Sequence, residues 1–92
     1  MTEQNNQESL LSKSLFHYVI RLDKKDSAFF YFHFEACEGL CFYSTLTFNP
    51  HDQFRDIDLK GDIRLKKEVD HHLNQLSYKF SLTYLVAEVL EF

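Results

Sequence analysis

The sequence predicts one α+β domain built in two layers, and three observations carry that prediction. Apolar and polar residues alternate in Leu15–Leu22 (LFHYVIRL) and in Phe54–Lys60 (FRDIDLK), the period of half-buried strands. Leu65, Val69, Leu73, Leu76 and Phe80 step by four, four, three and four, the apolar stripe of an amphipathic helix. A length of 92 residues with 45% hydrophobic content suits a single core.

Taken in order, Met1 to Ser14 reads as a flexible tail. TEQNNQES is polar and lacks aromatics, so it buries too little to offset its ordering entropy. The domain is expected over 15–92. In the first strand Phe16, Tyr18, Ile20 and Leu22 form the core face, and His17 and Arg21 lie opposite. Asp23-Lys24-Lys25-Asp26 is a solvated connection.

The stretch 27–38 admits two readings. As a helix it runs from an Asp26 N-cap to Gly39 at C′. Phe29, Phe32, His33, Ala36 and Cys37 then face the core, while Tyr31 and Phe34 are left partly exposed. As a strand, the unbroken aromatic run alternates Phe30, Phe32 and Phe34 with Phe29, Tyr31 and His33. Every position from 29 to 34 is aromatic or His, so periodicity does not choose.

Leu40 to Phe48 is the second strand, with Leu40, Phe42, Ser44, Leu46 and Phe48 inward and Cys41, Tyr43, Thr45 and Thr47 on the open surface. Asn49-Pro50 opens a turn. Ile57 and Leu59 alternate with Asp56, Asp58 and Lys60 in the third strand, which Gly61 ends or bulges. Asp62 caps the second helix, Ile63 to about Tyr78. Ser81 to Phe92 fits helix or strand; a strand completes the sheet and is the expectation.

Leu22-Asp23-Lys24-Lys25-Asp26, the apolar run Phe29 to Phe34, Glu35-Ala36-Cys37-Glu38-Gly39-Leu40 and Ser44-Thr45-Leu46 together resemble a family of short bacterial proteins of unknown function, over about 15–77. The chain departs from that family's pattern at Cys37, where an aromatic is expected, and in the Thr47–Gln53 loop. The resemblance implies the helix reading of 27–38 and a ferredoxin-like β-α-β-β-α order. It brings no catalytic residue. The expected fold is therefore a two-layer ferredoxin-like sandwich with both helices on one face of an antiparallel sheet. The alternative is an N-terminal three-stranded meander followed by a helix.

The formal net charge is −4. That argues against nonspecific nucleic-acid binding, which needs a basic stripe, and against an anionic membrane surface. No apolar run approaches the ~20 residues of a membrane-spanning helix. Two cysteines without a basic-then-apolar leader read as reduced thiols of a cytoplasmic protein.

Candidate chemistry is sparse. His33, Cys37 and Cys41, spaced four and four, are the nearest approach to a metal set, but no local fourth ligand accompanies them. Two small buried thiols and a satisfied imidazole explain them without a metal. Asp56 to Lys67 imitates a calcium loop, but Lys60 and Lys67 stand where oxygen ligands belong. Asp56 and Asp58 on one strand face, and Asp70-His71-His72 on a helix, read as solvated faces. No phosphate-binding glycine motif or nucleophile elbow occurs. No catalytic residue and no cofactor is expected. The aromatic excess points to an interaction surface, placed at Tyr31, Phe34, Tyr43 and Thr45, for a homodimer or a protein partner. The expected function is a noncatalytic interaction or regulatory module. A small-ligand sensor with a site at a dimer seam is the alternative, and an enzyme using Cys37 or His33 comes third.

Overall fold

The computed structural model describes residues 14–91. The expected tail lies outside them except for Ser14, whose carbonyl accepts the Ile63 amide at 3.1 Å. Six elements follow in order: β1 (Leu15–Asp23), α1 (Ser27–Ala36), β2 (Phe42–Thr45), β3 (Phe54–Asp62), α2 (Lys66–Ser77) and β4 (Thr83–Leu90). Each helix is entered through a single 3₁₀ turn, Lys24–Asp26 or Ile63–Leu65.

The sheet order is β2-β3-β1-β4, and every neighbouring pair is antiparallel. β1 therefore reaches β2 through α1 with β3 inserted between them. β3 reaches β4 through α2 with β1 inserted between them. This split β-α-β arrangement is the ferredoxin-like sandwich, and it excludes the N-terminal meander, because 27–36 is helical and β1 lies between β3 and β4 rather than beside β2.

One core lies between the sheet and the helices. Phe16, Tyr18, Ile20 and Leu22 of β1 meet Ile57 and Leu59 of β3, Phe30 and Phe34 of α1, and Val69, Leu73 and Leu76 of α2. Tyr18 also donates to the Asp70 carboxylate. Burial and that acceptor push its phenol up to about 12. Gly61 does not end β3; it stays in register opposite Phe16, and the strand runs on to Asp62. β4 is an edge strand, and a register shift opposite Val19 and Ile20 skips Leu85. Tyr84 and Leu85 of this strand are exposed.

The stretch 27–38 is helical, but its expected orientation is not the observed one. Phe30 and Phe34 point at the sheet, Phe34 being 3% exposed, whereas Phe29 and Phe32 are exposed at 46% and 74%. A continuous aromatic run gives every helical phase a similar apolar face, so the sheet selects the phase. The Asp26 side chain caps nothing, because residue 26 closes the 3₁₀ turn in helical conformation. Ser27 Oγ instead donates to the Lys24 carbonyl at 2.8 Å. Gly39 does take a positive φ of 82°, two residues beyond the Cys37 cap.

β2 is inverted relative to expectation. Leu40 is buried, yet Phe42 is 84% exposed, and Tyr43 packs against the core. Leu40 belongs to the turn, its amide reaching the Cys37 carbonyl at 3.4 Å, so it does not set the parity of the strand. Because the side-chain period is two, that offset flips every residue. Pairing of Tyr43 with Leu59 and Thr45 with Ile57 fixes both on the helix side. Phe48 also leaves the expected core face; the Arg55 guanidinium sits over its ring at 3.6 Å. Asp62 caps the 3₁₀ turn that leads into α2, accepting from the Arg64 amide at 2.9 Å, and α2 itself starts after Leu65 with no side-chain cap. Arg64 also holds the Asp62 carboxyl down at about 2.

Candidate functional site

The two helices pack side by side, and the seam between them collects polar chemistry. His33 and Cys37 lie one turn apart on the side of α1 that faces α2. His72 lies on the facing side of α2, next to buried Leu73. His33 Nε2 and His72 Nδ1 share a hydrogen bond of 2.9 Å. Cys37 Sγ is 3.7 Å from both His72 nitrogens. The three potential ligand atoms all lie within 4.8 Å of one another, and all three residues are half-buried. Burial lowers the His33 pKa, and the neighbouring His72 and Lys79 lower it further, so its imidazole is neutral near pH 7.

Of the expected set His33, Cys37 and Cys41, the first two converge and the third does not join them. Cys41 packs against the core, where burial and the nearby Cys37 push its thiol up to about 11. His72 supplies the third group. Sequence reading placed it with His71 on a solvated face, but position 72 falls three after Val69 and four before Leu76. That spacing sets it on the flank of the buried stripe. The cluster offers two imidazoles and a thiol, a donor set for a borderline-soft cation. It is a poor nucleophile site, because the partner of His72 is another imidazole rather than an orienting carboxylate.

The open face of the sheet is charged and internally paired. Arg21 donates to both oxygens of Asp56 at 2.8 and 3.0 Å and lies over the Phe54 ring at 3.9 Å. His17 bridges Asp58 of β3 and Glu88 of β4, at 2.6 Å each. Asp56 and Asp58 are thus bound in cross-strand pairs, not poised as an acid and base over a cleft.

Of the expected interaction residues, Phe34 is buried, Tyr31 and Tyr43 are half-buried and Thr45 is exposed. Phe34 is in the core. Tyr31 bonds the Thr45 hydroxyl and packs on the Tyr43 ring at 5.4 Å. Tyr43 donates to Glu35 at 3.0 Å. These side chains close the gap between α1 and the β2 edge. Exposed aromatics stand singly at Phe42 and Tyr78, and on the outward face of α1 Phe32 is flanked by Ala28 and Ala36, all exposed, with Phe29 beside it on the Phe80 ring at 6.0 Å. Among the described residues no helix is long and apolar enough to cross a membrane. Compared with protein-family models, curated proteins and solved structures, the chain matches none.

Proposed function

We propose that this domain is a noncatalytic interaction module whose primary partner is a second copy of itself, met through the outward face of α1. One observation carries the reading. From Ser27 to Phe34 the helix has no Asp, Glu, Lys or Arg, although one side of it faces water and carries Phe32 at 74% exposure. A surface helix ordinarily puts charge there.

The face is self-complementary in shape and charge. Phe32 stands between two alanines, four residues away on either side, so a copy packed antiparallel about a twofold axis seats its own Phe32 beside that gap. Lys24 and Lys25 are exposed before the helix, and Glu35 and Glu38 are exposed at its end. The same antiparallel pairing sets the lysines of one copy opposite the glutamates of the other, as an isologous contact requires. Ten residues of helix cover less than the roughly 800 Å² per partner of a standard interface, so the dimer belongs with the small, transient contacts.

Sedimentation equilibrium over a dilution series tests this. The parent chain is expected to move from dimer toward monomer as it is diluted, and Phe32→Glu to stay monomeric throughout. A parent that is monomeric at the highest concentration, or a Phe32→Glu dimer as tight as the parent, overturns the proposal.

A further inference from the structure

We propose that His33, Cys37 and His72 form a binding site for a borderline-soft transition-metal cation, zinc above all, at the seam between α1 and α2. This does not depend on self-association, since the site lies within one chain.

The donor set comes first. Two imidazole nitrogens and a thiolate suit zinc, and among the described residues no carboxylate joins the cluster, which disfavours calcium and magnesium. The geometry then fits closely. Tetrahedral zinc with bonds of about 2.05 Å to nitrogen and about 2.3 Å to sulfur separates N from N by about 3.3 Å and N from S by about 3.6 Å. Here His33 Nε2 and His72 Nδ1 are 2.9 Å apart, Cys37 Sγ and His72 Nδ1 are 3.7 Å apart, and the remaining edge is within 4.8 Å. Side-chain rotations that widen the 2.9 Å edge and draw in the third would set the triangle around a cation.

The supports are rigid as well. His33 and His72 sit inside helices whose neighbouring residues Phe34 and Leu73 are in the core, and Cys37 is the capping residue of α1. Ligands on such elements hold their geometry better than ligands on loops. An imidazole–imidazole hydrogen bond accounts for the 2.9 Å contact. It does not account for a thiol placed against the same imidazole. With three protein ligands, one position stays open for water. The metal then cross-links the two helices at the point where His33 and Cys37 already contact His72.

Tag-free protein, stripped with a chelator and kept reduced, is titrated with zinc in competition with a chromophoric indicator, and separately with cobalt. One zinc per chain is expected, with a rise in thermal midpoint. Cobalt should give a thiolate-to-metal charge-transfer band. Cys37→Ser and His72→Ala should each weaken zinc by about a hundredfold or more, since outer-shell changes alone cost roughly 10–100-fold. His71→Ala, altering the exposed neighbour, should leave affinity unchanged. Denaturation of each metal-free variant checks that it folds, and the near-isosteric Cys37→Ser carries the test if His72→Ala does not. The proposal is overturned if the parent binds zinc no more tightly than Cys37→Ser, if the cobalt spectrum lacks the thiolate band, or if His71→Ala is the variant that loses the metal.

Discussion

Replacing Gly61 by Ala adds one methyl group to the middle of the core. A Cβ at Gly61 would lie 2.7 Å from both Cε2 and Cζ of Phe16 and 3.1 Å from the Leu40 carbonyl oxygen. Carbon atoms pack at about 3.5–4.0 Å, so the ring must retreat by roughly 0.8 Å or more. It has nowhere to go: Phe16 is 0% exposed and tilts against the Tyr18 ring at 5.5 Å. Overpacking of this kind costs about 1–3 kcal/mol. The φ of Gly61 is not positive, so alanine recovers about 0.4–1 kcal/mol from the less flexible unfolded chain. The net is a loss of about 1–2 kcal/mol. Against a total of roughly 5–14 kcal/mol for a domain of this size, urea denaturation resolves it readily. A double-mutant cycle with Phe16→Leu locates the cause. With the ring gone, Gly61→Ala should cost about 1 kcal/mol less than it does in the parent. A neutral Gly61→Ala, or strictly additive costs in the cycle, would refute the argument that Phe16 occupies the space of the missing side chain.

Three further outcomes follow from the same structure. Gly39→Val should cost about 1–3 kcal/mol from backbone strain alone, because φ is +82° and nothing lies within 4 Å of an added Cβ; unchanged urea stability would contradict the left-handed turn after α1. His17 is pushed down by burial, but Glu88 and Asp58 outweigh this and leave its pKa raised. Its contribution is therefore complete below the ordinary value of about 6.5 and fades as pH rises through the raised value. The stability gap between the parent and His17→Gln should accordingly be wider near about pH 6 than near about pH 9; a gap independent of pH would mean that His17 works by packing alone. Zinc should raise the thermal midpoint of the parent and not that of Cys37→Ser, by mass action on the folded state; equal shifts in both would place the metal elsewhere.

The legible parts of this fold are those where hydrophobic period and burial say the same thing. β1, β3 and α2 each alternate or step cleanly, and their core residues Phe16, Ile20, Ile57, Leu59, Val69, Leu73 and Leu76 are where the period puts them. The misread parts share a physical cause, since in each a local pattern was degenerate and a partner element broke the tie. The aromatic run of α1 is apolar in every direction, so it carries no phase until the sheet supplies one. Leu40 is apolar and buried, but as a turn residue it lends β2 a false parity, which pairing with Leu59 and Ile57 corrects. The candidate site was half legible. His33 and Cys37 share a helix side by spacing alone, whereas His72 is 35 residues beyond Cys37 and arrives only when α1 and α2 pack together. The flank position of His72 on the Val69–Leu76 stripe was the available signal.

The four sides of α1 also bear on what Phe32 is for. Phe30 and Phe34 meet the sheet, Tyr31 and Glu35 meet Tyr43 of β2, and Phe29, His33 and Cys37 meet Phe80 and His72 across the seam. Each of these aromatics is explained by something within the chain. Phe32 is not; it faces water at 74% exposure, where a polar residue of good helix propensity would serve the isolated domain equally well. Surface changes of this kind stay within about 0.5 kcal/mol. The substitution Phe32→Glu should therefore separate two effects: loss of the dimer by sedimentation, and an unaltered urea midpoint at concentrations where the parent is already monomeric. A clearly destabilised monomer would show instead that Phe32 is held by contacts within its own chain, and the aromatic face would lose its claim to a partner.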